Sequence, residues 1–372
     1  MIKRVLITGG AGFIGSHLAD ELSSRGCEVR ILDNLSEQVH GTARKRPAYL
    51  AKEAELIVGD IRDSEAVREA LDGMEAVFHF AASVGVGQSM YEMASYTSVN
   101  NLGTAVLLEA LIERPVERLV VASSMSVYGE GLYRSPSGEF CHEASRDLEK
   151  LKQGMWEPRN GKDEELLPLP TPENKKPCLS SIYALSKYDQ ERMCLITGAA
   201  YGIPTAALRF FNVYGTRQSL SNPYTGVLSI FASRLLNGNP PLIYEDGKQM
   251  RDFVYVKDVA RASVLALESP EAPGKVFNIG SGVPRTITQV AEKMAIGLNK
   301  HYIEPEVVGK YRVGDIRHCF ADITLAGEAL GYKPQMSFED GLLELTGWLE
   351  VQSAVDRMSL ANRELSLRGL MV

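Results

Sequence analysis

Tyr183 and Lys187 stand four residues apart in Tyr183-Ala184-Leu185-Ser186-Lys187. On a helix, positions i and i+4 share one face. An ammonium beside a phenol favours the phenolate and brings its pKa toward working pH. Such a pair can take a proton from a hydroxyl. Ser124 follows the apolar run Arg118–Ala122 and adds a hydroxyl to the same site. The three supply a proton-transfer group, an electrostatic tuner and a hydrogen-bond partner.

A second set of residues could hold a dinucleotide. Thr8-Gly9-Gly10-Ala11-Gly12-Phe13-Ile14-Gly15 places glycines at 9, 12 and 15. The first permits a tight turn. The second lets a pyrophosphate approach the backbone, and the third lets helix pack on strand. A helix starting here offers free N–H groups to phosphate. Asp33 follows 18 residues after Gly15, where a carboxylate accepts both ribose hydroxyls and repels a 2′-phosphate. The next basic residues are His40 and Arg44, so NAD is expected over NADP. Asp60, in Gly59-Asp60-Ile61, is expected either to face the adenine or to cap the helix that follows.

These residues need a scaffold. Strands are predicted at Lys3–Thr8, Glu28–Asp33, Glu55–Val58, Ala76–Phe80, Arg118–Ala122 and Thr205–Phe210. Helices are predicted at His17–Arg25, Ser64–Leu71, Gly103–Glu113 and Ala184–Thr197. Strand–helix alternation with continuously apolar strands predicts an α/β fold, a doubly wound parallel Rossmann sheet with a smaller C-terminal substrate domain. The expected division is 1–217 for the cofactor domain, with 252–273 folding back onto it. Residues 218–251 and 274–350 form the substrate domain, and 351–372 a helical tail, with one or two helices over Leu342–Leu367.

Residues 131–178 interrupt the alternation. Prolines fall at 136, 158, 168, 170, 172 and 177. That density predicts neither continuous helix nor sheet, beyond a short helix near Ser145–Gln153. The insertion is read either as a surface embellishment or as a rim over the substrate site.

Composition excludes several classes. The 372 residues carry 40 basic and 47 acidic side chains, a net charge of −7, which argues against a nucleic-acid surface. Five scattered cysteines with no CxxC argue against a disulfide framework and for a reducing cytoplasm. The N-terminus does not read as a signal peptide, and no apolar run approaches the ~18 residues of a membrane span.

The set TGGAGFIG (8–15), Asp33, HFAA (79–82), SSMSVYG (123–129), YALSK (183–187), RFFNVYG (209–215) and RDFVYVKDVA (251–260) resembles the extended short-chain dehydrogenase/reductase family, NAD-dependent epimerases and dehydratases, over nearly the whole chain. The resemblance implies a nucleotide-sugar substrate and a catalytic triad of Ser124, Tyr183 and Lys187. It implies NAD contacts at Gly9, Gly12, Gly15, Asp33, Asp60, Ala81 and Lys187. Phe13, Ile14, Asn34, Ile61, Phe80, Ala82, Asn100 and Tyr183 are expected to join them. Ser126, Asn212, Arg251, Arg312 and Asp315 are expected at the substrate; paired arginines suit a diphosphate. A homodimer through the helices around the YxxxK and Asn100 is also implied.

The same resemblance narrows the chemistry. Dehydratases of the 4,6 type carry Asp-Glu directly after the catalytic hydroxyl, and 3,5-epimerases place a cysteine at the second of those positions. Here Met125 and Ser126 stand there. What remains is oxidation and reduction at one carbon, C4. Segments 222–228 and 235–238 and the long insertion resemble dTDP-L-rhamnose 4-epimerases. Paired insertion cysteines able to hold zinc in such relatives are replaced here by Arg134-Ser135-Pro136 and Arg159-Asn160-Gly161-Lys162, leaving Cys141 and Cys178. No metal is expected. The alternatives are a UDP-hexose or UDP-hexuronate 4-epimerase, a 4-ketoreductase, dehydrogenase or decarboxylase on the same scaffold, and a non-catalytic NAD-binding protein.

Overall fold

Seven parallel strands form the main sheet of the computed structural model, which describes residues 2–371. They are β1 (Arg4–Thr8), β2 (Glu28–Asp33), β3 (Glu55–Val58), β4 (Ala76–His79), β5 (Arg118–Ser124), β6 (Thr205–Phe210) and β7 (Val276–Ile279). Their spatial order is β3-β2-β1-β4-β5-β6-β7. The order reverses between β1 and β4, so the C-terminal ends of these strands open on a crevice there.

The period-2 pattern sorts side chains to two cores. Val5, Ile7, Ile31, Phe78 and Val120 face one side and pack with Leu18, Leu22, Val259 and Ala262. Leu6, Leu32, Val77, Leu119 and Val121 face the other and pack with Val67, Leu71, Leu107 and Leu111. Helices therefore cover both faces, as continuous apolar strands require. The first helix runs Phe13–Ser24, starting four residues earlier than expected, because Gly12 already serves as its N-cap.

The domain boundary expected at 274 needs correction. Val276–Ile279 is the seventh strand and pairs in parallel with Ala207–Phe210. Ala326, Leu330 and Tyr332 then pack on the same sheet core. The strand lies beyond the regular strand–helix alternation, after the chain has left the main sheet for the second one at Asn212–Tyr214 and Met250–Tyr255. Val256–Glu268 does lie against the first helix, its Val259 and Ala262 in the core with Leu18 and Leu22.

The second unit has its own core. Phe231, Leu235, Val290, Met294, Leu342 and Leu345 come from the helices Val227–Leu236, Ile287–Gly297 and Phe338–Leu349. They pack with Tyr214, Phe253 and Tyr255 from a small sheet joining Asn212–Tyr214, Met250–Tyr255, Pro284–Thr286 and His318–Cys319.

The insertion is more ordered than proline density predicted. Leu132–Arg134, Phe140–Cys141 and Leu167–Leu169 form a three-stranded antiparallel sheet. Pro168 sits in the edge strand, where one missing N–H is tolerated. The only helix among its described residues is Leu148–Lys152, with Asp147 accepting from Glu149 N and Lys150 N. Among the described residues no three His, Cys, Asp or Glu side chains come together as a metal-binding group. Nor is any helix among the described residues long and apolar enough to cross a membrane.

Candidate active site

The crevice at the strand reversal is a cleft of about 810 Å³ that runs from the first glycine loop into the second unit. At its floor Gly9 has φ +71, and a Cβ there would lie 2.8 Å from Ala81 N. A Cβ on Gly15 would lie 2.5 Å from Gly9 O. Both positions therefore require glycine. The Gly12 N–H donates to Gly9 O at 3.3 Å, and no side chain caps the helix there, so the N–H groups of its first turn, at Phe13, Ile14 and Gly15, face the cleft for an anion.

Asp33 is held at the end of β2. Ala11 N donates to its Oδ2 at 3.1 Å and Leu35 N to its Oδ1 at 2.9 Å. His40 Nε2 lies 3.8 Å from Asp33 Oδ1, and burial lowers the imidazole's pKa, which keeps it neutral. Arg44 is turned to the carbonyls of Asn34 and Leu35. A fixed carboxylate with no free cation beside it suits a ribose diol and not a 2′-phosphate. The cradle, the helix start and Asp33 fit NAD.

Asp60 is engaged by protein partners. Gly59, Ile61 and Arg62 line the cleft and Asp60 does not. Its carboxylate accepts from Arg62 Nε at 2.8 Å, Arg62 Nη2 at 2.7 Å and Asn34 Nδ2 at 3.2 Å. The Arg62 hydrogen bonds hold its pKa down at about 2. Asp60 positions Asn34 and Arg62, and its Arg62 partner two residues away was readable in sequence. Asn34, Phe80, Ala81 and Ala82 line the cleft.

At the middle of the cleft Ser124 ends β5, and Tyr183 and Lys187 project from the helix Ile182–Tyr201. Ser124 Oγ is 3.2 Å from Ser126 Oγ and accepts from Ser126 N at 3.2 Å. Burial raises the pKa of the Tyr183 phenol, and the Ser124 hydroxyl works in the lowering direction. The expectation that Lys187 brings this phenol down is therefore corrected: desolvation dominates. Lys187 Nζ donates instead to Gln190 Oε1 at 2.7 Å, and burial brings the lysine down to about 8.

Gln190 was not anticipated. Its Nε2 donates to Thr104 Oγ1 at 2.9 Å and Ala81 O at 3.3 Å. Thr104 Oγ1 lies 2.9 Å from His79 Nε2, and His79 Nδ1 lies 2.8 Å from Thr8 Oγ1. A buried polar chain thus links Lys187 to the glycine turn. The i, i+3 spacing of Lys187 and Gln190 was its one sequence signal.

Asn100 is fully buried. It sits in a π-helical turn, Thr97–Leu102, and does not line the cleft. Its Oδ1 accepts from Ser83 N at 2.7 Å, and its Nδ2 donates to Ser83 O at 3.0 Å and Ser186 Oγ at 2.9 Å. It ties the Ser83 loop, which lines the cleft, to the Tyr183 helix. Turns of this kind recur near functional sites.

The far end of the cleft is lined by Ser126, Asn212, Arg251, Arg312 and Asp315. Arg251 is fixed by donating to the carbonyls of Met250, Ile316 and Arg317. Arg312 donates to Asp315 Oδ2 at 2.8 Å and lies over the Tyr244 ring at 4.6 Å. Asn212 Oδ1 and Gln249 Oε1 are buried acceptors with no protein donor. Such groups call for a ligand donor or water. Tyr244, Gln249 and the tail residues Met358, Asn362 and Leu365 were not anticipated here.

No residue of the insertion lines the cleft. Instead it braces the wall behind Arg312. Arg146 pairs with Glu130 at 3.0 Å and Glu245 at 2.6 Å, and donates to Asp315 O. The fully buried Arg317 joins Glu157, Glu245 and Asp246.

Residues 5–147 and 160–280 match the model of the NAD dependent epimerase/dehydratase family. A dTDP-L-rhamnose 4-epimerase of Burkholderia thailandensis is 36% identical over 355 residues, 93% of this chain and 95% of that protein. The structure of a UDP-glucose 4-epimerase from Thermotoga maritima with UDP-glucose is similar at TM-score 0.75 and 32% identity, covering 93% of this chain and 98% of that one. A UDP-glucose 4-epimerase of Thermus thermophilus in complex with NAD is similar at TM-score 0.73 and 32% identity, covering 94% and 99%. The chain belongs to the NAD dependent epimerase/dehydratase family, and its cofactor is NAD.

Proposed function

We propose that this enzyme inverts C4 of a nucleotide-activated sugar through a bound 4-keto sugar, with dTDP-L-rhamnose as the leading substrate. One observation carries the reading. Ser124, Tyr183 and Lys187 meet in the cleft, and the next two positions hold Met125 and Ser126, which offer no acid–base pair for eliminating water. The cofactor, when bound, supplies a reversible hydride acceptor, so the cycle is redox-neutral. Tyr183 takes the C4 hydroxyl proton and later returns it. Ser124 hydrogen-bonds the C4 oxygen. Lys187, one helical turn on from Tyr183 and lining the same cleft, supplies a cation toward the cofactor. Arg251 and Arg312 hold the diphosphate while the sugar turns and presents its other face.

A clasp over the cofactor end supports recycling over a ketoreductase, which must exchange its cofactor. Gln38 Nε2 donates to Gln88 Oε1 at 3.0 Å and Asn222 Oδ1 at 3.1 Å, and Ser219 Oγ meets Gln38 O at 3.4 Å. All four residues line the cleft. The 36% identity to a dTDP-L-rhamnose 4-epimerase favours that sugar over UDP-hexoses and UDP-hexuronates. NMR of C4 stereochemistry after incubation with dTDP-L-rhamnose, UDP-glucose and UDP-glucuronate tests the assignment; no C4 inversion in any of them refutes it.

The exposed apolar side chains Leu102 (54%), Leu185 (42%) and Ile196 (58%) support a homodimer through the helix Ile182–Tyr201 and the Asn100 region. Light scattering coupled to size exclusion tests it. Five unpaired cysteines accord with a cytoplasmic location.

A further inference from the structure

We propose that the C-terminal helix Met358–Leu367 is the outer wall of the nucleotide-sugar site, that it moves aside for the nucleotide to enter, and that Asn362 is a positioning residue for Arg312. This rests on the nucleotide-sugar reading above.

Met358, Ala361 and Leu365 are 4%, 3% and 3% exposed, although they lie on a ten-residue helix close to the chain end. Their i, i+3, i+7 spacing makes one inward stripe. That stripe faces the cleft: Met358, Ala361, Asn362, Leu365 and Leu370 line the same cavity as Arg251 and Arg312. Leu365 reaches the opposite lip, with Cδ2 3.4 Å from where a Cβ on Gly87 would stand.

The helix and the residues after it also hold Arg312. Tyr244 donates to Asn362 Oδ1 at 2.6 Å, and the Arg312 guanidinium lies on that Tyr244 ring. Val313 N donates to Leu370 O at 2.9 Å, and Arg312 pairs with Met371 through the backbone. Arg312 is thus set from its side chain and its main chain by the tail.

The two ends of the tail are held differently. Asp356 accepts from Arg234 at 3.1 Å and Asn239 at 2.9 Å, both pairs largely buried, while Val355 N meets Ser221 Oγ at 3.0 Å. The far end has no buried ion pair: it is held by the apolar contact of Leu365 at Gly87, the partly exposed stack of Arg368 over Tyr91 and the short backbone pairing at Arg312–Val313. The Asp356 end is the hinge, and the Arg368 end is the edge that opens. A wall spanning both lips must clear before a nucleoside diphosphate can reach Arg312.

Hydrogen-exchange mass spectrometry on the NAD-loaded full chain, with and without dTDP or UDP, tests the wall. Slower exchange over 358–370, by at least fivefold, is expected with nucleotide. Protection at 245–255 and 310–316 with none at 358–370 overturns the wall and leaves the site reading standing; protection nowhere overturns both. Asn362→Ala and Tyr244→Phe test the positioning role. Each is expected to raise KM for the nucleotide sugar about tenfold with kcat and NAD content unchanged, and the double variant to add little to either. Additive effects, or loss of kcat with KM unchanged, overturn it.

Discussion

The ammonium of Lys187 donates to the side-chain carbonyl of Gln190, 2.7 Å away, and burial has brought that lysine to about 8. Its charge is thus on the edge of being lost at slightly alkaline pH. Replacing Gln190 with Leu removes the acceptor and favours the neutral amine. A fall of about one pKa unit cuts the charged fraction at pH 8 from about a half to about a tenth, so kcat there is expected to fall about fivefold. Gln190→Glu supplies a counter-charge and should move the alkaline limb of the pH–rate profile upward. A profile unmoved by either change would remove Gln190 from the tuning of Lys187.

In the proposed reaction Tyr183 carries the proton transfer. Tyr183→Phe is expected to lower kcat by roughly 10²–10⁴-fold while NAD content stays near that of the unaltered enzyme. Ser124→Ala removes one hydrogen bond to the C4 oxygen and should cost about tenfold. Single-turnover reduction of enzyme-bound NAD, read at the NADH absorbance band, separates these effects from substrate binding.

His79 makes the fold sensitive to acid. Burial brings it to about 3, and His17, also buried, to about 4, against an ordinary 6.5. Thr8 Oγ1 already accepts from Phe80 N and Ala81 N, so its proton goes to His79 Nδ1, which must stay unprotonated. Unfolding lets both histidines take up protons below 6.5. Their contribution is therefore complete above pH 6.5 and is lost as pH falls toward 3 to 4. At pH 5 the loss is roughly 2 kcal/mol for each histidine. Urea midpoints at pH 7 and pH 5 should differ accordingly. His79→Asn should be less stable at pH 7 and less sensitive to acid.

Gln38 closes the cofactor end with two side-chain hydrogen bonds. Each contributes about 0.5–1.5 kcal/mol, so Gln38→Ala should release NAD about tenfold faster. Retained NAD after repeated gel filtration measures this. Unchanged retention would mean that the clasp does not hold the cofactor.

Much of the scaffold was legible in the sequence because buried parallel strands are continuous apolar runs; Glu28–Asp33, Glu55–Val58 and Thr205–Phe210 appear with the bounds expected. Val276–Ile279 was not, since the chain returns to the main sheet there only after Asn212–Tyr214 and Met250–Tyr255 have left it for the second sheet, outside the regular strand–helix alternation. Gly9 and Gly15 were legible because close backbone contact demands glycine. The Lys187–Gln190–Thr104–His79–Thr8 chain was not, because it joins residues from four elements that only folding brings together. Asp60 and Asn100 were legible as polar positions, while the partners that take up their polar atoms, Asn34 for Asp60 and Ser83 and Ser186 for Asn100, are set by the fold. The tail was legible as helix, while its destination depends on contacts more than 100 residues away in sequence, such as Tyr244 with Asn362.

The central claim is hydride removal and return at one carbon. Incubating the NAD-loaded enzyme with dTDP-L-rhamnose deuterated at C4, in ordinary water and without added cofactor, tests it most directly. The account predicts a mixture of C4 epimers, both still carrying deuterium at C4, with no net NADH. Deuterium lost to solvent, NADH accumulating with turnover, or a product lacking the elements of water would contradict it.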